Sequence, residues 1–589
     1  MTTSADNTTN PSLRTPSPTQ NLESLVPDWA RSGAFRYLRL DGGPDSAEKA
    51  RLSGWPFDSE QRATLTGLYT THRERVFQLL EEAHINWVWL TWSVGFSWET
   101  EAEQRRQCAE MAAECRRRGI HTTAYMTGNN MFWHDMFCQN PKAVNWLRRG
   151  ENGEPVTYFG VAERFLAQMD HPEWLELQKR RLQSAMEAGF ESFFYDNCDA
   201  WRSGEQAVVT MSQELRRFAR EDLKSNALFY FNYMPHRFPP YIRHAGLLDW
   251  TFCEGHTPPA VADGQWIVVN PAHPAKYTAA IFGERPVIYE TCTVHGFDRM
   301  ETNQRTITPK QATRIIGEAT AFASAQSFYV EGGFIHRLVH GNPADIETWK
   351  VIGAAYALLK KLAPTLVTLR QMSRLLVVGD AAPDSDPSKA IEAGHGLFEF
   401  VWHEKILAPL LRRSIPFDFC DVRSVDARRL ENYDTVLLAG LQRAPQPTML
   451  ALRDFSDRGR LLFMDAHPDF QALASPFTAD EEGFDRLRTQ APYQLSLANG
   501  PYVLGNLLGD SHTLALHVVN YSDEPVNDLV VDLRLADRQL PKTTSAQWLS
   551  PDAATVPPSD ITVSATGIRC LVPKLDTWGL ILLTTQPKN

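Results

Sequence analysis

The sequence predicts an α/β protein: a TIM (β/α)8 barrel, then a flavodoxin-like α/β domain, then a small C-terminal β-sandwich. Three observations predict it. Short apolar runs alternate with helical stretches over 35–362, the pattern of a parallel sheet covered by helices. Eight such runs can be counted there, which suits one barrel with modest insertions. Near the C-terminus the pattern changes to partial alternation at 513–520 and 529–533, which marks antiparallel strands with one buried face.

Barrel strands are expected at 35–40, 86–92, 121–127, 192–196, 228–233, 248–253, 287–290 and 327–330. Helices are expected between them at 102–118, 173–188, 205–222 and 309–324. His171-Pro172-Glu173 and Thr308-Pro309 put proline in a first helical turn, the second behind a threonine cap. The longest insertion, 129–168, follows the third strand and is expected to form a lid over the barrel mouth. The barrel domain is assigned 29–370. The second unit, 371–500, has strands expected at 375–378, 417–420, 435–439 and 460–464 and helices at 397–412 and 449–458. That is a small open parallel sheet with no GxGxxG fingerprint for a nucleotide. Residues 501–589 form the sandwich, with a last strand at 577–584. The first stretch, 1–28, is rich in Ser, Thr, Asn and Pro without apolar periodicity and reads as a disordered leader.

Composition narrows the partners. The chain has 589 residues and a formal net charge of -11, which argues against a phosphate backbone or an anionic lipid surface as partner. It has no apolar run of about 18 residues, the length a membrane span needs, and no basic-then-apolar leader. A cytoplasmic protein is expected. The 8 cysteines are scattered without a CxxC pair, so buried free thiols are expected. Aromatic residues make up 11% of the chain, with 16 Trp; this suits rings stacked on sugar faces and equally a Trp-rich core.

Barrel enzymes gather their reacting groups at the carboxyl ends of the strands. Reading the residue at or just beyond each end gives Asp41, Trp92, Asn129, Asp196, Asn197, Asn232, Glu254, Glu290 and Glu331. A carboxylate directly after a buried strand is costly unless it meets a wet cleft or a partner. Four of them around one mouth, beside aromatics, point to a sugar site. Asp196 is the leading catalytic candidate, because Asn197 and Asp199 are equally able to cap the helix that follows. Glu254, in Cys253-Glu254-Gly255-His256, is the second. Glu290 and Glu331 read as hydroxyl binders or members of a buried salt-bridge ring, with Glu290 also the alternative catalytic partner. Asp41 reads as a sugar-binding or structural acid. Trp92, Trp98, Trp133 and Tyr125 are expected to offer stacking faces, and Asn129, Asn232 and His256 hydroxyl contacts. The sequence has no HxH pair, so no metal and no cofactor is expected. It also has no GxSxG elbow, and Cys198 and Cys253 read as packing residues.

The segment 433–465, Tyr-Asp-Thr-Val-Leu-Leu-Ala-Gly, a helix, then Arg-Gly-Arg-Leu-Leu-Phe-Met-Asp, resembles the trimerisation domain of glycoside hydrolase family 42 β-galactosidases. Those enzymes share the order barrel, flavodoxin-like domain, small β-domain. The barrel, with its marks at 87–92, 115–121 and 189–197, resembles glycoside-hydrolase-like barrels. Family 42 enzymes end strand four with an Asn-Glu pair, whereas this chain has Tyr195-Asp196-Asn197 there; Glu290 matches their strand-seven nucleophile position. An Asp ending strand four is instead similar to α-glycosidase barrels of the family 66, α-galactosidase and α-L-fucosidase types. That resemblance implies Asp196 as nucleophile, Glu254 as acid/base and an oligosaccharide or glycoside substrate, while the resemblance of the second domain to the family 42 trimerisation domain implies a homo-oligomer, a trimer favoured. Retaining chemistry with two carboxylates is the expectation. A β-galactosidase-like enzyme using Glu290 and a non-catalytic sugar-binding barrel are the alternatives.

Overall fold

A computed structural model describes residues 26–585 apart from 32–33, 56, 159, 162, 199–203, 233–247, 256–259, 263–264, 268–286, 293, 296–304, 331, 380–404, 442, 466–467, 537–539, 541–543 and 553. Eight parallel strands form the first sheet. They are β1 (Tyr37–Leu40), β2 (Trp87–Thr91), β3 (His121–Thr127), β4 (Ser192–Asp196), β5 (Leu228–Phe231), β6 (Thr251–Gly255), β7 (Val287–Cys292) and β8 (Ser324–Tyr329). Their spatial order is β5-β4-β3-β2-β1-β8-β7-β6, the cyclic order of a (β/α)8 barrel. At the β5/β6 seam the Asp249 N–H donates to the Phe229 carbonyl at 2.8 Å. The Asp249 carboxylate accepts the Phe229 N–H at 2.8 Å and is held by Arg216 at 2.8 Å.

Two apolar layers follow from the period of two along each strand. Tyr37, Trp87, Trp89, Tyr125, Phe194, Tyr230, Trp250, Phe252 and Ile288 fill the interior. Their alternates Leu38, Val88, Leu90, Ala124, Met126, Phe193, Tyr195, Phe229 and Phe231 face the helices. Near the mouth, the interior parity includes positions 41, 91, 196, 232, 254 and 290.

The helices Ala102–Arg117, Pro172–Glu187, Glu205–Arg217 and Pro309–Ala321 stand where they were expected, the second and fourth at their start signals. Thr308 accepts the Gln311 N–H while the Gln311 side chain takes the Thr308 N–H, a reciprocal cap. Some strands differ from expectation by more than one residue at an end: β1 and β6 begin later, β5 ends at Phe231, β7 runs on through Cys292, and β8 begins earlier. Glu254 therefore lies within its strand instead of just beyond it, and Glu290, expected as a strand end, is followed by two more strand residues. The 129–168 stretch contains an antiparallel pair, Asn130–Phe132 with Arg164–Leu166, and a short helix, Trp133–Gln139.

Beyond the barrel, a five-stranded parallel sheet has the order Asp418–Asp421, Leu375–Gly379, Thr435–Ala439, Arg460–Met464, Ser475–Pro476. This is the 2-1-3-4-5 order of flavodoxin-like folds. Two antiparallel sheets, of five and four strands, then form the C-terminal sandwich around a core that includes Leu516, Val531 and Ile581. Arg370–Gln371 pairs into the five-stranded sheet, and Tyr493–Ala498 into the four-stranded one. The helix Pro309–Ala321 packs the barrel onto the sandwich. Its fully buried Arg314 donates to the carbonyls of Asn520 at 3.0 Å and Ser522 at 2.9 Å.

Candidate functional site

The first turn of the barrel explains much of the site. After β1 the chain runs Asp41-Gly42-Gly43-Pro44, and Gly43 has φ +92 with the Gln104 side chain 2.3 Å from where a Cβ would stand. Only glycine fits there, and Pro44 then starts the helix Pro44–Leu52. This helix carries buried polar residues, Ser46 and Lys49 among them, against the mouth. A narrow cavity there is lined by Asp41, Ser46, Lys49, Val94, Tyr125 and Tyr329, with others.

Asp196 ends β4 on the interior parity. Its Oδ1 accepts the Asn232 amide at 2.9 Å and the Asn197 N–H at 2.8 Å, and its Oδ2 accepts the Tyr125 hydroxyl at 2.8 Å. Asn197 adopts φ 58, a left-handed turn that asparagine tolerates better than most residues. Burial acts to raise the Asp196 pKa, but the charges of Lys49 and Arg39 and the bonds from Asn232 and Tyr125 hold it below the usual carboxylate value. Its direct donors are neutral and its cations stand one step back.

Lys49 Nζ donates to the Tyr125 hydroxyl at 3.0 Å. Burial pushes the Lys49 pKa down to about 8, with Arg164 adding to the shift and Asp41 and Asp196 opposing it. The Tyr125 ring stacks on Trp89 at 4.8 Å, and burial, then the Asp196 charge, pushes its hydroxyl well above its ordinary pKa. Arg39, on β1, lies between the rings of Trp89 at 4.1 Å and Tyr329 at 3.8 Å. It donates to Glu290 Oε1 at 2.7 Å and Asp41 Oδ2 at 3.2 Å. Glu290 is fully buried. Asp41 also accepts the Thr91 hydroxyl at 3.4 Å.

The structure thus brings Asp41, Tyr125, Asp196, Asn197, Asn232 and Glu290 together, and adds Arg39 and Lys49. Of Glu254 only the backbone is described; its Cα pairs with Glu290 across β6 and β7. His256 and Glu331 lie outside the described residues. Asn129 is buried, and its carbonyl accepts the Ala167 N–H at 2.6 Å, tying the two ends of the insertion together. Trp133, at the head of the insertion helix, is 41% exposed and keeps an open ring.

Two of the expected stacking faces are corrected, and a third changes role. Trp92 follows the parity of Leu90, so it packs edge-on against Phe190 in the outer layer, 3% exposed. Trp98 is enclosed between Arg105 at 3.6 Å and Arg180 at 3.9 Å, leaving no face for a sugar. Tyr125 is buried with its ring on Trp89, and its hydroxyl donates to Asp196. Lys49 and Arg39 were not expected at the site. An arginine in the middle of a buried strand, Tyr-Leu-Arg-Leu at 37–40, is itself a signal that carboxylates must be waiting for it.

Behind the mouth, Glu101 is fully buried. Its Oε1 accepts Ser93 Oγ at 2.9 Å and the N–H groups of Val94 at 2.8 Å, Gly95 at 2.9 Å and Phe96 at 3.1 Å. Its Oε2 meets Arg181 at 3.1 Å. One carboxylate therefore shapes the loop after β2, which supplies Val94 to the cavity wall.

No family model matches the chain, and no curated protein matches it in sequence. Solved structures do match it in fold. The α-L-fucosidase isoenzyme 2 of Paenibacillus thiaminolyticus gives a TM-score of 0.66 at 12% identity, covering 94% of this chain and 100% of that one. A GH42 β-galactosidase of G. stearothermophilus gives 0.58 at 11% identity, covering 93% and 98%. The β-galactosidase of Rahnella sp. R3 gives 0.55 at 13% identity, covering 91% and 98%. At such identities the likeness is one of fold, and it extends through the barrel and both following domains. The chain has the fold of glycoside-hydrolase barrels.

Proposed function

We propose that this chain is a glycosidase that cleaves an O-glycosidic bond with two carboxylates, Asp196 as nucleophile and Glu254 as acid/base. The observation that carries the reading is the setting of Asp196: its carboxylate accepts three neutral donors at the end of the fourth barrel strand, and the charges of Lys49 and Arg39 hold its pKa low. An anionic oxygen with a lone pair to spare is what attack on an anomeric carbon requires. A protonated partner must release the leaving oxygen, and Glu254 stands on the same alternate position of its strand as Trp250 and Phe252. Glu290 shares Arg39 with Asp41, an arrangement that suits a buried charge ring better than proton donation. The fold likeness to a fucosidase, and the Asp at strand four, favour retaining, α-glycosidase-like chemistry. The flavodoxin-like domain supports a homotrimer, which sedimentation would read as three chains instead of one.

The test is a panel of nitrophenyl glycosides, followed by Asp196→Gly on whichever is cleaved. The variant should lose at least about 10^3-fold in kcat, and azide should restore turnover with a glycosyl azide of inverted configuration. Full activity in a folded Asp196→Gly protein would end the assignment. Comparing Glu254→Gln with Glu290→Gln decides the partner: the true acid/base variant keeps activity on activated leaving groups and loses its basic pH limb. A sugar-binding barrel without catalysis would bind glycosides in calorimetry and cleave none.

A further inference from the structure

We propose that Lys49 is a positioning residue for Asp196 that acts through Tyr125, aiming the phenol hydroxyl at Asp196 Oδ2 and keeping that carboxylate ionised. The proposal rests on Asp196 as nucleophile and brings in a residue from the first helix, away from the strand ends where barrel catalysts are sought.

Hydrogen-bond direction carries it. An ammonium can only donate and a carboxylate can only accept. With Lys49 Nζ 3.0 Å from the Tyr125 oxygen and Asp196 Oδ2 2.8 Å on its other side, the phenol oxygen must accept from Lys49. Its own proton must then point at Asp196. Among the described residues Lys49 Nζ has no other hydrogen-bond partner, so its buried charge has no second task. The groups facing it are Asp41 and Arg39 from β1, Tyr125 from β3, Asp196 from β4 and Arg164 from the insertion hairpin. Arg39 is already committed to Asp41 and Glu290. Of the two cations acting on Asp196, Lys49 has the larger effect and Arg39 the smaller.

The arrangement reverses when Lys49 loses its proton. A neutral amine can accept, the Tyr125 hydroxyl can turn toward it, and Asp196 then loses both a donor and a compensating charge. Burial that lowers the Lys49 pKa to about 8 puts this reversal just above neutrality.

Two measurements test the relay. The first needs no substrate: a thermal-melting cycle of Lys49→Met, Asp196→Asn and the double variant. At pH 7 the double variant should sit about 2–4 °C away from additivity, because Asp196→Asn removes the charge that Lys49 answers. The second is the pH profile of kcat/KM. Lys49→Met should raise the acid limb by about one pH unit, Lys49→Arg should largely restore it, and Tyr125→Phe should uncouple the pair while keeping the ring. Additive melting at pH 7, or a lower rate with an unmoved acid limb, overturns the proposal and leaves Lys49 with a packing role. Coupling without any glycoside cleavage would sink the glycosidase reading and leave the relay standing.

Discussion

Glu101 is where the mouth can be undone by the smallest change. Glu101→Gln keeps an oxygen for Ser93, Val94, Gly95 and Phe96 but turns an amide toward Arg181, whose guanidinium is itself fully buried. A buried charge left without its partner costs about 3–5 kcal/mol, and nothing in the substitution offsets that. Glu101→Ala loses the same charge and also leaves three buried N–H groups unmet, at about 1–3 kcal/mol each. These costs do not simply add, because a loop that is this destabilised opens and lets water in. The two variants should therefore separate in amide exchange. Glu101→Gln should lower the barrel's denaturation midpoint while the Val94, Gly95 and Phe96 amides stay protected, and Glu101→Ala should lower it and expose them. Because Val94 lines the cavity beside Asp196, turnover should fall more in the alanine variant. A Glu101→Gln protein within about 1 kcal/mol of wild type would refute the idea that this ion pair holds the loop.

His517 is fully buried, lies parallel to the Trp578 ring, and has its pKa pushed down by burial to about 3. The unfolded chain takes up this proton near pH 6.5 and the folded one refuses it, so stability is intact above that value and falls as pH drops. The loss reaches about 2 kcal/mol by pH 5, and His517→Phe should remove that much of the acid sensitivity in melts at pH 7 and pH 5; an unchanged pH dependence would count against it. In the insertion, Trp133→Ala should raise KM about fivefold with kcat intact, the loss of one stacking face worth about 1 kcal/mol. Trp98→Ala should leave KM unchanged, and equal effects from the two variants would show that the exposed ring is not a sugar platform.

The barrel was readable because its strands are apolar runs, and several are separated by helices, two of them with clear start signals at Pro172 and Thr308-Pro309. The 2-1-3-4-5 sheet and the sandwich were readable on the same grounds. Strand ends were less so, since β6 and β7 continue through Glu254 and Glu290, which apolar-run logic treats as stops. The parity of each strand was present in the sequence and would have corrected one residue. Trp92 falls on the same alternate as Val88 and Leu90, so it had to face the helices. Trp98 was not recoverable in this way, because the arginines that cover it come from two different helices.

The tryptophans show what composition alone could not decide. Trp87, Trp89, Trp174, Trp250 and Trp578 are among the largest fully buried side chains, and Trp133 is the one tryptophan among the exposed large apolar residues described. The aromatic surplus is therefore mostly interior, and it has an electrostatic use there. Trp89 and Tyr329 hold the Arg39 guanidinium between their faces, which lets a cation sit in the barrel with two carboxylates and little water. With Arg39 bonded to Asp41 and Glu290, the larger charge acting on Asp196 comes from outside the strands. The glycine turn after β1 supplies it by bending the first helix over the mouth with Lys49 on its inner side. Strand-end reading looks for catalytic groups where the sheet stops, and here it finds the nucleophile candidate but passes over the residue that sets its charge.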